Sequence, residues 1–180
     1  MTVTATDLFD YSPASAAAAA EWIVEIPMPY LPGGKPAGWL GANDDHPAGK
    51  NARWWYAKRL KIANAWRAAA IQALQRAGVP VGLTCQIEVR IGFRFPTARS
   101  NRRDLPNLEP TLKPVIDALN PTKVQNQKGR MIPIPGAGIV ADDNQRYVLR
   151  GPEVLIGEPL GKDHQHKGMV ILYLRRIGQQ

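Results

Sequence analysis

Asp104, Lys113, Asp142 and Asp143 are the residues whose types and spacing could do chemistry. They stand in three short segments: Arg102-Arg103-Asp104-Leu105-Pro106-Asn107-Leu108, Lys113-Pro114-Val115-Ile116-Asp117-Ala118-Leu119, and Val140-Ala141-Asp142-Asp143-Asn144-Gln145. Carboxylates far apart in sequence and gathered by a fold suit a hard divalent cation; Mg²⁺ needs few of them and keeps several waters. Such a cation polarises a phosphate and supplies hydroxide from bound water. Phosphodiester hydrolysis also needs a basic group at the phosphate, for which Lys113 is the candidate, and an electropositive approach. Arg90, Arg94, Arg99, Arg102 and Arg103 fall in one stretch with no acid until Asp104. A second set, Lys50, Arg53, Lys58, Arg59, Lys61 and Arg67, lies on the preceding segment.

Each residue also has a plainer explanation. Asp104 could cap the turn after the arginines, and Asp142-Asp143-Asn144 could be a polar hairpin turn, where Asp and Asn are favoured. Lys113 and Asp117 are four apart and could be a helix surface pair. Both basic sets could be solvated faces. His164 and His166 lie in a polar Gly161–Gly168 turn with only His46 besides, which points to a loop and not to a zinc site.

Composition narrows the partners. The 180 residues carry 23 Lys+Arg against 15 Asp+Glu, a net charge of +8 and a pI near 9.9. That balance favours a polyanion, because each phosphate contact releases condensed counterions. No apolar run approaches the roughly 18 residues of a membrane span. The alanine run at 16–20 is short and lacks a basic flank, unlike a signal peptide. The single cysteine, Cys85, in an apolar strand pattern, reads as a small buried side chain in a reducing, intracellular setting.

The positioning elements follow from pattern. Residues 1–20 read as a loose, flexible N-terminal tail. Residues 22–28 alternate and predict a strand; residues 29–50 predict a long loop. Residues 53–77 have helical spacing, with Trp66 in the core and Trp54 less so, and Gly78 ends the helix. Residues 83–95 predict the longest strand, and 96–103 a polar loop. A short helix is expected over 111–119, with Thr111 as N-cap so that Pro114 falls in the first turn. A long loop is expected over 120–138, where Lys123, Lys128 and Arg130 suit a flexible basic flap. Residues 138–141 and 145–150 bracket Asp142-Asp143, and 169–177 are the last strand. The order β-α-β-α-β-β predicts a single α+β domain over 21–180.

The three segments together resemble the RusA-type Holliday junction resolvases. That family carries R-D-x-D-N-L, then a lysine, then D-A-L, and later D-D-x-Q; here Arg103-Asp104-Leu105-Pro106-Asn107-Leu108, Lys113, Asp117-Ala118-Leu119 and Asp142-Asp143-Asn144-Gln145 follow in that order. The specific part of the resemblance covers residues 102–145. It implies a small mixed sheet with one long and one short helix. It implies a homodimeric, cytoplasmic endodeoxyribonuclease of bacterium or phage that uses Mg²⁺, or Mn²⁺ in its place, to cut four-way junctions or related branched DNA in recombination and repair. By match, Asp104 and Asp143 are metal-binding aspartates, Lys113 is the catalytic lysine, and Asp142 is the neighbouring acid. DNA contacts are then expected from Arg94, Arg99, Arg102, Arg103, Lys58 and Arg59.

Two departures stand out. Pro106 replaces the second aspartate of the D-x-D pair, and Glu109-Pro110-Thr111 is inserted before Lys113. Glu109, ahead of Asp142, is the expected replacement ligand. Two other functions compete. A restriction-like nuclease wants Glu-x-Lys on a strand, whereas this chain has Glu88-Val89-Arg90. A non-catalytic DNA-binding module would use the acids only to shape its surface.

Overall fold

The computed structural model describes residues 12–41, 52–97, 105–127 and 129–178. Strand β1 (Trp22–Pro27) buries Val24 and Ile26 and exposes Glu25, the alternation expected for residues 22–28. Helix α2 (Ala52–Arg76) buries Ile62, Trp66, Ala70 and Leu74 along one face, at helical spacing. It ends as Gly78 predicts. Gly78 adopts φ 67°, and its amide and that of Val79 bond back to the Gln75 and Leu74 carbonyls. Trp66 is fully buried, donates to the Gly38 carbonyl, and stacks on Trp39.

Strand β2 (Gln86–Arg94) turns Ile87, Val89, Ile91 and Phe93 inward. It is shorter than the expected 83–95, because Leu83 makes a separate parallel bridge to Val140 and Cys85 is only half-buried. Among the described residues, the main sheet has the order β1-β6-β2-β5, with β5 (Val148–Ile156) and β6 (Met169–Ile177). The β2–β5 contact is parallel and the other two are antiparallel, so the sheet is mixed and the fold α+β. Strand β5 runs well past the expected 145–150. Its register slips between Arg150, opposite Val89, and Val154, opposite Ile91. Pro152 falls inside that irregular stretch of an edge strand, where a missing amide proton is tolerated.

Strand β6 is buried at six consecutive positions, Met169 to Leu174, which requires cover on both faces. Val170, Leu172 and Leu174 join the core under α2, while Met169, Ile171 and Tyr173 cluster with Ala16 and Leu155 on the opposite face. That second cover is helix α1 (Pro13–Ala19), capped by the Ser12 hydroxyl on the Ser15 amide. The loose tail expected over 1–20 is therefore a packed helix in its described part. Alanines give little apolar periodicity to read, yet they favour helix and let it lie close to a sheet.

A 3₁₀ turn (Leu105–Leu108) leads into α3 (Glu109–Asp117), two residues earlier than expected. Thr111 is not its N-cap. The side chain is fully buried, accepts from the Leu40 amide at 2.7 Å and donates to the Leu40 carbonyl at 3.0 Å. Pro114 thus sits in the helix interior and forfeits a backbone bond, a loss offset by burial of Leu112, Val115 and Ile116 beside it.

Residues 120–138 are not a long loop. They hold a hairpin of β3 (Lys123–Gln127) and β4 (Arg130–Ile134), paired from Lys123↔Ile134 to Gln127↔Arg130. Its alternation is invisible in the sequence because neither face is buried, and Val124 and Met131 are exposed. At its root the Ala137 and Gly138 amides donate to the Ala118 and Asn120 carbonyls, and the Ile139 and Val140 amides both donate to the Leu119 carbonyl. Only glycine fits at Gly136, since a Cβ there would lie 2.0 Å from the Asn120 carbonyl oxygen. This closure returns the chain to the end of α3 and sets Asp142-Asp143 beside it.

Candidate functional site

Three cationic and two anionic side chains line a cavity of about 250 Å³ where α2, α3, the hairpin root and the Asp142-Asp143 turn meet. They are Arg67 from α2, Lys113 and Asp117 from α3, Lys123 from β3, and Asp143. Asn120, Pro121, Ile134 and Pro135 complete the wall. Asp117 ties the helices together: Oδ2 accepts from Arg67 Nη2 at 2.8 Å and Oδ1 from Lys113 Nζ at 3.1 Å. The helix pair expected of Lys113 and Asp117 therefore exists, but it is part of a cavity wall. Lys113 is 73% exposed along its side chain and spends one of its three ammonium donors on Asp117, which leaves donors for a ligand.

The adjacent acids sit together in a bend, and of the two Asp143 lines the cavity. Asp142 is engaged outside the cavity wall. Its Oδ1 accepts from Lys123 Nζ and from the Asp143 amide, both at 3.0 Å, and its Oδ2 from Asn144 Nδ2 at 3.1 Å. The Lys123 hydrogen bond, followed by that from the Asp143 amide, holds the Asp142 carboxyl below its ordinary pKa. Lys123 is raised in turn, chiefly by that hydrogen bond, and then by the charges of Asp142, Asp143 and Asp117 against some desolvation. Asn144 accepts from the Arg146 amide through its side chain, so the segment is also the polar turn its composition suggests. Asp143 is the member that meets the cavity.

Glu109, the expected replacement for the carboxylate missing at Pro106, is held by Arg150. Its carboxylate makes a two-pronged pair with Arg150, at 2.7 and 3.1 Å, and is not among the cavity walls. Asp104, Arg99, Arg102 and Arg103 lie outside the described residues. Arg94 donates to the Glu158 carbonyl at the end of β2. Lys58 and Arg59 lie over the rings of Trp54 and Trp55 on α2, and Arg59 also donates to the Gly41 carbonyl. None of these three lines the cavity. His164 and His166 sit in a turn in which the His166 amide donates to His164 Nδ1, in keeping with a loop role.

Two buried polar atoms in this wall lack a hydrogen-bond partner: Arg67 Nε and Asn120 Oδ1. Asn120 is 5% exposed. An amide oxygen and a carboxylate are the donors a Mg²⁺ site accepts, with water filling the remaining positions, so Asn120 and Asp143 fit such an ion. Among the described residues no three His, Cys, Asp or Glu side chains gather. Sequence reasoning gave Arg67 no role beyond the basic set and passed over Asn120. Arg67 did carry a signal, being the one charged residue between Lys61 and Arg76.

No family model matches the chain, and no curated protein does either. Among the described residues no helix is long and apolar enough to cross a membrane.

Proposed function

We propose that the protein is a Mg²⁺-dependent endodeoxyribonuclease of RusA type that cuts four-way or related branched DNA. The observation that carries this reading is the convergence of Lys113, Asp117 and Asp143, from two of the three motif segments, on one cavity that Arg67 and Lys123 also line. Asp143 and Asn120, with Asp104, would hold the cation. When bound, it would polarise the phosphate and lower the pKa of a coordinated water. Lys113 donates to a phosphate oxygen, while Asp117 fixes its ammonium and shares its charge with Arg67. Lys123, tied to Asp142, adds positive charge at the rim. The net charge of +8 favours a polyanion. The family resemblance further implies a homodimer that nicks the junction symmetrically, with Mn²⁺ able to replace Mg²⁺.

A DNA-binding module without catalysis would use the same cations, three of which line the cavity. Incubation with a synthetic four-way junction and a matched linear duplex, with and without Mg²⁺ or Mn²⁺, separates the two. Cleavage of the junction only with metal is the expected result. Junction binding without cleavage under any metal condition would favour the binding module.

A further inference from the structure

A second cavity, about 470 Å³, lies across Pro121 from the first, and Pro121 lines both. The turn between strands serves both sides: Val140 and Ala141 face the second cavity, and Asp143 the first. The volume is within the roughly 300–1,000 Å³ of small-molecule sites. Leu83 and Val140 give it apolar walls and Thr84 a hydroxyl, and among the described residues no acid lines it. Its ledge is Tyr147 with the Arg146 guanidinium 5.5 Å from the ring centroid.

That ledge is held from several sides. The Tyr147 amide donates to the Asn144 carbonyl, its own carbonyl accepts from the Ile87 amide, and its ring packs against the main core. The Arg146 amide is fixed by Asn144 Oδ1. A guanidinium within cation–π range of an aromatic ring offers a flat group both a cation and a ring, and bases of single-stranded nucleic acid stack on such side chains.

We propose that this second cavity is a nucleobase subsite. It takes one unpaired base of the DNA strand whose neighbouring phosphate lies in the Lys113–Asp143 cavity, stacked on the Arg146–Tyr147 ledge. This rests on the DNA-cleaving reading above. Base pairs at a branch point lose continuous stacking on one side and open at lower cost than pairs inside a duplex, so the subsite would select branched over linear DNA by the ease of freeing one base. The cation on the ledge suits a base that brings phosphates with it.

The test uses the full chain in EDTA, so that DNA is bound and not cut. 2-Aminopurine is placed at successive positions around the branch of a four-way junction, and its emission is read beside the anisotropy of a distant label. Wild type should change the emission at one or two adjacent positions only. Arg146→Ala and Tyr147→Leu should abolish that change and lower affinity about tenfold, the loss of one stacked base. Arg146 is exposed, so its variant answers the question even where Tyr147→Leu fails to fold. Binding by anisotropy with no position-specific signal, or with a signal that both variants retain, overturns the base subsite alone. No anisotropy change with any DNA overturns the DNA-cleaving reading and the subsite with it.

Discussion

The guanidinium of Arg67 lies 2.8 Å from Asp117 Oδ2, joining α2 to α3 beside the cavity. The two side chains are 16% and 22% exposed, so the pair is sheltered on both sides. Through Asp117 the contact reaches Lys113, which turns a helix surface pair into a chain of three charges.

Asp117→Asn keeps the shape of the link and removes its charge. Arg67 already has an unpartnered Nε and would lose its ionic contact as well. The variant should be less stable by about 1–2 kcal/mol, below the value for a fully buried pair. Single-turnover cleavage should slow roughly tenfold to 100-fold as Lys113 loses its orientation. Lys113→Ala should slow chemistry more than junction binding. Urea unfolding and single-turnover rates check both; an Asp117→Asn protein that unfolds and cuts like wild type removes the link from the mechanism.

The Lys123–Asp142 pair predicts two pH boundaries. Asp142 is depressed below its ordinary 3.8, so its contribution is present above that value and is lost as pH falls through the lower folded pKa. Lys123 is raised above 10.5, so its contribution is full below that value and is lost as pH rises through the higher folded pKa. The hairpin root should stay anchored between these limits. In an NMR titration, Lys123→Met should move the Asp142 carboxyl back up towards 3.8. An unmoved midpoint would mean the pair does not form in solution.

The carboxylates should separate into two groups. Asp143→Asn and Asp104→Asn are expected to lower cleavage by at least about 100-fold, more than the loss of an outer partner costs, while junction binding is kept. Glu109→Gln and Asp142→Asn should keep the wild-type Mg²⁺ dependence, because those groups are engaged by Arg150 and Lys123. Cleavage rates across a Mg²⁺ titration make the comparison. A Glu109→Gln enzyme that needs much more Mg²⁺ would return Glu109 to the ligand set.

The strands and the long helix could be read because each buries one face, and burial writes its period into the sequence. Val24 and Ile26, Ile87 to Phe93, and Trp66 to Leu74 all follow that rule. Helix α1 and the hairpin broke it for opposite reasons. Ala16 packs without large side chains, and Val124 and Met131 have no core to face. At the site, Lys113 and Asp143 stood out by order of residue type, but order cannot say which free acids are already neutralised. Arg150 on Glu109 and Lys123 on Asp142 are contacts across 41 and 19 positions, set by the fold alone. Arg67 and Asn120 come to the cavity through helix packing and the closure of the hairpin root, which short-range pattern does not encode.

Asn120 poses the sharpest question at the site. Its Oδ1 is buried and unpartnered, and a polar atom in that state costs free energy unless a ligand compensates it. If the oxygen serves a cation, Asn120→Ala should leave the metal-free protein as stable as wild type or more so, because the uncompensated acceptor is gone. The same variant should bind Mn²⁺ roughly tenfold more weakly, as expected for one oxygen lost from the site. Asn120→Asp restores an oxygen and adds a charge, offsetting the carboxylate missing at Pro106, and should bind Mn²⁺ at least as tightly as wild type. Thermal unfolding without metal and Mn²⁺ titration followed by electron paramagnetic resonance give the two readings independently of cleavage. Should Asn120→Ala lose stability while Mn²⁺ binding is unaltered, the side chain is a structural group at the end of α3, and the cation must rely on Asp143, Asp104 and water.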